Sequence, residues 1–306
     1  MAIPGPVLPD RRSSGKFIIV TLIKFDFMLD YPALTALAEI LRRGSFEAAA
    51  AALGVTPSAV SQRIRGLEER MGEVLVHRGP PARGTEKALR LMQHLDQVRL
   101  LERGLTPTEG PAHLRLAVNA DSLATWFLPV LGALDLLYDL VLDDQDHSRD
   151  WLRQGQVSAA ISSEPQPVPG CDVIALGKMR YLAMATPRFI ARHFPDGPTE
   201  AALSAAPAVI FNQKDAAQSR WAEALTGRRL HLAGHRIPAS EAFAQAVAFG
   251  LGWGMIPEVM IRPGLVPLSP LPLDVPLYWH IQRALKTALS PLTAAIRKRA
   301  AAELRP

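Results

Sequence analysis

Residues 44–70 carry the pattern that most constrains the fold. Ser45 is a good N-cap for a short alanine-rich helix, and Gly54 suits the left-handed residue of the tight turn that follows it. Thr56 and Pro57 then provide the cap and the first position of another helix. A helix, a glycine turn and a second helix in this order predict a helix-turn-helix.

The helix that begins at Pro57 has two unlike sides. At about 100° per residue, Val60, Ile64 and Leu67 fall on one side of it. The opposite side is short, polar and basic, and it consists of Ser58, Gln62 and Arg65, with Ser61 at the margin. Side chains of this kind donate to phosphates and read base edges in a major groove, so we predict that these four bind DNA. A solvated helix in an ordinary bundle fits the same periodicity.

A wing is predicted to follow that helix. Residues 74–78 are typical of a short strand, residues 79–84 of a turn, and Thr85 of the cap of a new helix. In such a winged helix-turn-helix, Arg78 and Arg83 are placed to contact backbone phosphate. The new helix has apolar residues at the spacing of a packing seam, namely Ala88, Leu91, Leu95 and Val98. Spacing alone leaves two alternatives open, packing against its own domain and dimer formation by a linker helix.

Composition and charge bound the class of protein. The chain has 306 residues, of which 48% are hydrophobic and 21% are charged, so it can bury an ordinary globular core. The formal net charge is only +5, but residues 57–90 hold seven bases and four acids, whereas residues 135–150 hold six Asp and one Arg. A single cysteine, Cys171, excludes a disulfide framework and a multi-cysteine metal site.

Residues 1–27 differ in character from the rest. They begin with several Pro and Gly residues and continue with an apolar run, residues 17–23, that is only seven residues long. That run is too short for a membrane span of roughly 20 residues, and no cleavage site of small residues follows it. We therefore predict a disordered extension with Met28 as an alternative start, a cytoplasmic location and no membrane partner.

Beyond residue 111, stretches typical of strands alternate with stretches typical of helices. The predicted strands are residues 114–118, 137–142, 157–161, 208–211 and 278–282. The predicted helices include residues 123–134, 148–154, 216–225 and 241–249. This alternation predicts an α/β module with a mostly parallel sheet.

Polar side chains occur where the predicted strands end, which is where ligands bind in open α/β sheets. Asn119, Asp121 and Ser122 follow the first strand, Asp144 the second and Ser162 the third. A helix amino terminus and the Ser122 hydroxyl favour a ligand carboxylate, whereas Asp121 and Asp144 suit a cationic group. An amino acid with a positively charged side chain carries both kinds of group.

Two more residues are assigned to the same site. Ser240 and Glu241 open a later helix, and Glu241 is a further candidate for the cationic group. The alternative is that Asp121 or Glu241 simply caps its helix and that residues 135–150 form a solvated surface.

These motifs resemble those of a known family. Ser45-Phe46, the alanine run, residues 53–64 and Leu67-Glu68 resemble the DNA-binding domain of LysR-type transcriptional regulators. Residues 116–129, 240–243, 255–257 and 278–280 are similar to the branch of that family that activates exporters of basic amino acids. The resemblance runs from about Asp30 onward. Ala88 departs from it, because glycine is common at that position in the family.

The resemblance implies a domain order and a set of partners. It places a winged helix-turn-helix domain over residues 28–86, a linker or dimerisation helix over 87–105 and an effector domain over 112–306. The effector domain would have two lobes in the manner of periplasmic binding proteins, one of about 112–184 with 267–306 and one of about 185–266. The implied partners are double-stranded promoter DNA, RNA polymerase, a basic amino acid such as L-lysine or L-arginine, and further copies of the chain in a homodimer or homotetramer.

Other functional classes lack their motifs. Residues 250–254 are glycine-rich but follow a helix instead of joining a strand to one, so they do not form a dinucleotide loop. The eight His are dispersed without metal-ligand spacing. We therefore predict no enzyme activity, no cofactor and no metal. Three hypotheses remain: a LysR-type regulator that senses a basic amino acid and controls an exporter gene, such a regulator with a different effector, and a solute-binding module.

Overall fold

The computed structural model describes residues 29–103, 105, 112–142 and 148–306. The predictions made for residues 1–27 and for Asp144 lie outside these described residues. The chain forms two compact units, the first ending at Leu95 and the second beginning at Asp96. Within the described ranges, no helix is both long enough and apolar enough to span a bilayer.

Over its described residues, 29–95, the first unit contains three helices, a two-stranded wing and the start of a fourth helix. Its elements are α1 (Tyr31–Arg43), α2 (Phe46–Leu53), α3 (Pro57–Met71), β1 (Val76–His77), β2 (Arg83–Gly84) and part of α4 (Glu86–Glu102). The helices enclose one apolar core, in which Leu34, Leu37, Ile64 and Leu67 are almost fully buried. The predicted winged helix-turn-helix is confirmed.

Local hydrogen bonds explain why the helices of the first unit begin and end where they do. Ser45 caps α2, since its hydroxyl accepts the Ala48 N–H at 3.1 Å, and Thr56 caps α3 by accepting the Ala59 N–H at 3.2 Å. Between them, Gly54 has a φ of 63°, a left-handed conformation that favours glycine. The turn predicted from the sequence therefore forms at the expected residue.

The long helix α4 starts directly after the wing. The Thr85 hydroxyl accepts the Ala88 N–H at 3.3 Å, as expected of a cap. Ala88 and Leu95 are buried in the core of the first unit, and Leu91 packs against that core. Packing against its own domain, one of the two alternatives for this helix, therefore accounts for the seam as far as Leu95.

The second unit contains a seven-stranded sheet, flanking helices and a smaller two-stranded sheet. Its elements after α4 are β3 (Ala112–Val118), α5 (Ala120–Ser122), β4 (Leu136–Leu142), α6 (Ser148–Arg153), β5 (Ala159–Ser162), β6 (Cys171–Ala185), α7 (Pro187–His193), α8 (Glu200–Ala205), β7 (Ala208–Ile210), α9 (Ala217–Thr226), β8 (Gly234–Arg236), α10 (Ser240–Ala248), β9 (Gly254–Pro257), β10 (Val266–Pro267), β11 (Leu273–Gln282) and α11 (Ser290–Glu303). The predicted α/β class is confirmed.

The seven-stranded sheet is mixed, so the prediction of a mostly parallel sheet was wrong. Its strands lie in the order β10-β6-β11-β5-β3-β4, and β9 also pairs with β6. β3 is parallel to β4 and β5, whereas β6 and β11 are antiparallel to each other and to all their other neighbours. The reason is that β11, a strand from late in the chain, lies between β5 and β6 and runs antiparallel to both, an insertion that local alternation of strands and helices does not reveal.

The helical segment after β3 changes its type along its length. α5 continues as a π-helical turn, Leu123–Phe127, and then as a 3-10 helix, Leu128–Ala133. Trp126 in the π-helical turn is 1% exposed, and its indole N–H donates to the Ser122 hydroxyl at 3.2 Å. Single π-helical turns occur frequently at functional sites, which directs attention to the residues at the start of this segment.

Beyond β6 the chain builds a smaller region around β7 and β9. β7 pairs in parallel with β8, and the Val209 N–H of β7 donates to the Trp253 carbonyl at 2.7 Å. Val209, Phe243 of α10 and Ile256 of β9 share one apolar cluster. This packing holds the start of α10 beside β9.

Candidate effector cavity and DNA-binding face

The second unit contains a cavity of about 620 Å³ that is partly open to solvent. The cavity lies at the end of β3, beyond the end of β7 and beside β9. Its lining residues are Asn119, Ala120, Asp121, Tyr181, Phe211, Asp215, Ala217, Gln218, Ser240, Phe243, Ala244, Met255, Ile256 and Pro257.

Asp121 stands on α5 at the carboxyl end of β3. Its carboxylate accepts a hydrogen bond of 2.8 Å from the Tyr181 hydroxyl of β6. Burial raises the pKa of the Asp121 carboxyl, and the negative charge of Asp215 raises it further, whereas the hydroxyls of Ser240 and Tyr181 act in the opposite direction. The negative charge of Asp121 is therefore less stable in the cavity than in water, and a positive charge close to it would compensate for this loss.

Asp215 is held rigidly before the first turn of α9. Its Oδ2 accepts the Phe211 N–H at 2.8 Å, and its Oδ1 accepts the Ala217 N–H at 2.9 Å. Both carboxylate oxygens are therefore fixed by backbone donors, which leave the side chain little freedom to turn away from the cavity. Asp121 and Asp215 thus face the same cavity from different parts of the chain.

The charge of the cavity has one sign. Its lining contains two carboxylates, and none of the lining residues that the structure describes is Lys, Arg or His. Like charges in a partly desolvated site repel each other, and a cation bound there relieves the repulsion. The rings of Phe211 and Phe243 add apolar surface against which an alkyl chain can pack.

The side of α3 that is predicted to bind DNA lies opposite the buried side of the helix. Val60, Ile64 and Leu67 are buried, as predicted. The residues of the opposite side are exposed or half-buried, namely Ser58, Ser61, Gln62 and Arg65, with Ser61 the half-buried one. The described part of the first unit leaves all four side chains accessible, so each of them can reach a groove.

The wing carries its two arginines on exposed positions. His77 of β1 pairs with Arg83 of β2 in an antiparallel register. The Arg78 guanidinium lies 5.0 Å from the centre of the Phe46 ring, a distance that allows a cation–π interaction. Phe46 opens α2, so this contact ties the wing to the helix-turn-helix.

Two family models match this chain. Residues 32–89 match the model for bacterial regulatory helix-turn-helix proteins of the lysR family, and residues 108–304 match the model for the LysR substrate binding domain. The chain belongs to the LysR family. It is therefore a DNA-binding transcriptional regulator and not an enzyme, as the sequence predicts.

Several relatives of this LysR-type regulator resemble it over most of their length. The chain is 42% identical over 284 residues to the regulator LysG of Mycobacterium tuberculosis, which covers 89% of this chain and 94% of LysG. The crystal structure of ArgP from Mycobacterium tuberculosis matches with 41% identity and a TM-score of 0.75, over 91% of this chain and 99% of that chain. Full-length LysG from Corynebacterium glutamicum with the bound effector Arg matches with 36% identity and a TM-score of 0.63, over 91% and 100% of the two chains.

The structure brings together three of the residues predicted for the effector site of this LysR-type regulator. Asn119, Asp121 and Ser240 all line the cavity. Ser122 does not line it, because its side chain is 0% exposed and its hydroxyl accepts the Trp126 indole N–H. The expected donation from Ser122 to a ligand carboxylate is thus not supported by the position of this hydroxyl.

Two further predicted residues have other partners. Ser162 is fully buried at the end of β5, where its hydroxyl accepts the Glu164 N–H at 3.2 Å. The Glu241 carboxylate forms an ion pair with Arg262 and does not line the cavity. The structure does not place either of these two residues in the lining of the cavity.

Sequence reasoning missed three polar residues of the cavity. Asp215 follows β7 within a few residues, so the rule that found Asn119 and Asp121 could also have found it. Tyr181 lies within β6 and Gln218 within α9, and no pattern in the sequence marks either position.

Proposed function

We propose that this LysR-type protein regulates transcription in response to a basic amino acid, L-lysine, L-arginine or L-histidine, and that it controls an amino acid exporter gene. The observation that carries the proposal is the pair of carboxylates, Asp121 and Asp215, in a cavity whose described lining has no basic side chain. The structure of the Corynebacterium glutamicum relative with bound Arg supports it.

The cavity has a place for each charged group of such a ligand. Ser240 is the first residue of α10, and no side chain among the described residues caps that helix, so the N–H groups of its first turn suit an α-carboxylate. Asp121 lies beside Ser240 and suits the α-ammonium group. Asp215 suits the cationic side chain, whose alkyl part packs between Phe211 and Phe243. Asn119 completes this site as a polar residue of its wall.

DNA binding is assigned to α3 and the wing. Ser58, Ser61, Gln62 and Arg65 enter a major groove, while Arg78 and Arg83 contact phosphates. The protein binds its promoter as a homodimer or homotetramer, and the effector changes its contacts with DNA or RNA polymerase. The effector can shift that equilibrium only by binding one conformation better than the other. The domain boundaries given above at residues 28–86, 87–105 and 112–306 belong to this proposal.

Titration calorimetry tests the effector. L-lysine, L-arginine and L-histidine are titrated separately into the full-length protein, and saturable binding of at least one is expected. Ser122→Ala serves as a variant close to the cavity, and its affinity is expected to stay near that of the wild type because Ser122 faces Trp126. Binding of none of the three amino acids would contradict the proposed effector class and would favour a LysR-type regulator with another effector.

Fluorescence anisotropy with promoter DNA tests the groove contacts. Gln62→Ala and Arg65→Ala are each expected to weaken specific binding by about 1–3 kcal/mol and to leave lysine affinity unchanged. Gln213→Ala, an exposed glutamine in the second unit, is the matched control. If operator affinity is unchanged in both α3 variants, the assignment of this face to DNA is refuted. Lysine-dependent transcription from the exporter promoter then tests the target gene.

A further inference from the structure

Gln218 is a buried glutamine in the wall of the effector cavity. It is the second residue of α9, it is 2% exposed, and it lines the cavity. Its Nε2 donates to the Val209 carbonyl of β7 at 2.9 Å. Because a carbonyl oxygen needs a donor opposite it, this bond determines which end of the amide is nitrogen.

The other end of the amide has no such partner. The Gln218 Oε1 is buried and accepts no hydrogen bond from the part of the protein that the structure describes. Buried polar atoms are nearly always paired, so an acceptor left over at a cavity wall indicates a donor supplied by whatever occupies the cavity. The pairing of Nε2 with Val209 prevents the amide from turning to satisfy this oxygen elsewhere.

The residues near Gln218 indicate which kind of donor group the ligand carries. Asp215 lies three residues earlier and lines the same cavity, with both oxygens fixed by backbone N–H groups. A neutral acceptor and a carboxylate at one helix start suit a group that carries both a positive charge and several N–H bonds. Ammonium and guanidinium groups have this property, whereas hydroxyl and alkyl groups do not.

We infer that Gln218 determines the specificity of the cavity by accepting an N–H hydrogen bond from the cationic side chain of the effector, with Asp215 supplying the opposite charge. The inference rests on the proposed function, since it assigns a residue to the side chain of a bound basic amino acid. The α-ammonium group is assigned elsewhere, because it shares one carbon atom with the α-carboxylate and Asp121 lies beside Ser240 at the start of α10.

The test compares two ligands with the same backbone groups. L-lysine carries a side-chain ammonium group, and L-norleucine has an alkyl side chain without a donor. In the full-length Gln218→Met variant, the affinity for L-lysine is expected to fall about tenfold to a hundredfold, as for the loss of a hydrogen bond to a charged donor. The affinity for L-norleucine is expected not to fall. Gln213→Met, at an exposed position outside the cavity, is the matched control.

A second variant covers the case in which Gln218→Met does not fold. Gln218→Glu retains an acceptor oxygen but loses the donor to the Val209 carbonyl, so the ratio of its affinities for L-lysine and L-norleucine is measured, and this ratio is expected to equal or exceed that of the wild type. The inference is overturned if Gln218→Met binds L-lysine as well as the wild type does, if both ligands lose affinity equally, or if the ratio of L-lysine to L-norleucine affinity falls in Gln218→Glu.

The proposed function and the role of Gln218 can be refuted separately. If the wild-type protein binds none of L-lysine, L-arginine and L-histidine, both the proposed function and the role of Gln218 are refuted. If the wild type binds L-lysine and only the substitutions at Gln218 have no effect, the proposed function stands and the role of Gln218 is refuted.

Discussion

Replacing Asp121 by asparagine separates effector binding from folding. The asparagine keeps the size of the side chain and an oxygen that can accept the Tyr181 hydrogen bond, now 2.8 Å long, but it removes the negative charge. Truncating one partner of a buried, hydrogen-bonded charge pair costs about 2 kcal/mol or more. The dissociation constant for L-lysine is therefore expected to rise by at least about 30-fold in Asp121→Asn.

Thermal unfolding measures the same loss of L-lysine affinity in a second way. At a ligand concentration of about 100 times the wild-type Kd, binding stabilises the folded wild type by about 2.7 kcal/mol. A 30-fold weaker variant gains only about 0.9 kcal/mol at the same concentration. The ligand-induced rise in melting temperature should shrink accordingly, while Asp196→Asn, at an exposed carboxylate, should keep the full rise.

The ligand-free variant should melt no lower than the wild type. The pKa of Asp121 is raised in the folded protein, so above that pKa its ionised form opposes folding, and this opposition disappears as the pH falls through the raised pKa. Asparagine carries no charge at any pH, so this opposition is absent from the variant. The reasoning is refuted if Asp121→Asn binds L-lysine within threefold of the wild type, or if it loses binding only together with a lowered melting temperature.

Three more predictions concern pH, salt and the core of the first unit. Affinity for L-lysine should fall as the pH is lowered through the raised pKa of Asp121, because protonation removes its charge. Calorimetry at several pH values should show no such fall for Asp121→Asn. If the affinity of the wild type does not change with pH either, the assignment of Asp121 to the ligand is wrong. Arg78→Ala should reduce the slope of log affinity against log salt concentration by about 1 in DNA titrations, whereas an unchanged slope would limit Arg78 to its contact with Phe46. Ile64→Ala should lower the free energy of unfolding by about 2–5 kcal/mol in urea denaturation, because Ile64 is 1% exposed, and a loss below about 1 kcal/mol would contradict the core assignment.

The first unit could be predicted almost completely from the sequence, and the reason is that its signals are local. A cap such as Ser45 or Thr56 acts on an N–H three residues away, and Gly54 acts on its own turn. The buried side of α3 follows from helix periodicity alone. Neither signal depends on contacts with distant parts of the chain.

The cavity could be predicted only in part, because the sequence locates strand ends but not the directions of side chains. Asp121 and its neighbours were found as residues after a strand. The sequence could not show that Ser122 faces Trp126 or that Arg262 pairs with Glu241 from 21 residues away. The partner of Asp121, Tyr181, is 60 residues distant and belongs to a strand whose antiparallel pairing was not predicted.

The hydrogen bond between Trp126 and Ser122 gives the protein an optical probe of its own effector site. Indole emission depends on what the ring nitrogen is bonded to, and this nitrogen donates to the residue that directly follows Asp121. The other four tryptophans also emit, and Trp221, Trp253 and Trp279 are fully buried in the core, so the signal of Trp126 is obtained as the difference between the wild type and Trp126→Phe. That difference would allow stopped-flow measurement of how fast the effector enters and leaves, with no label attached near the cavity.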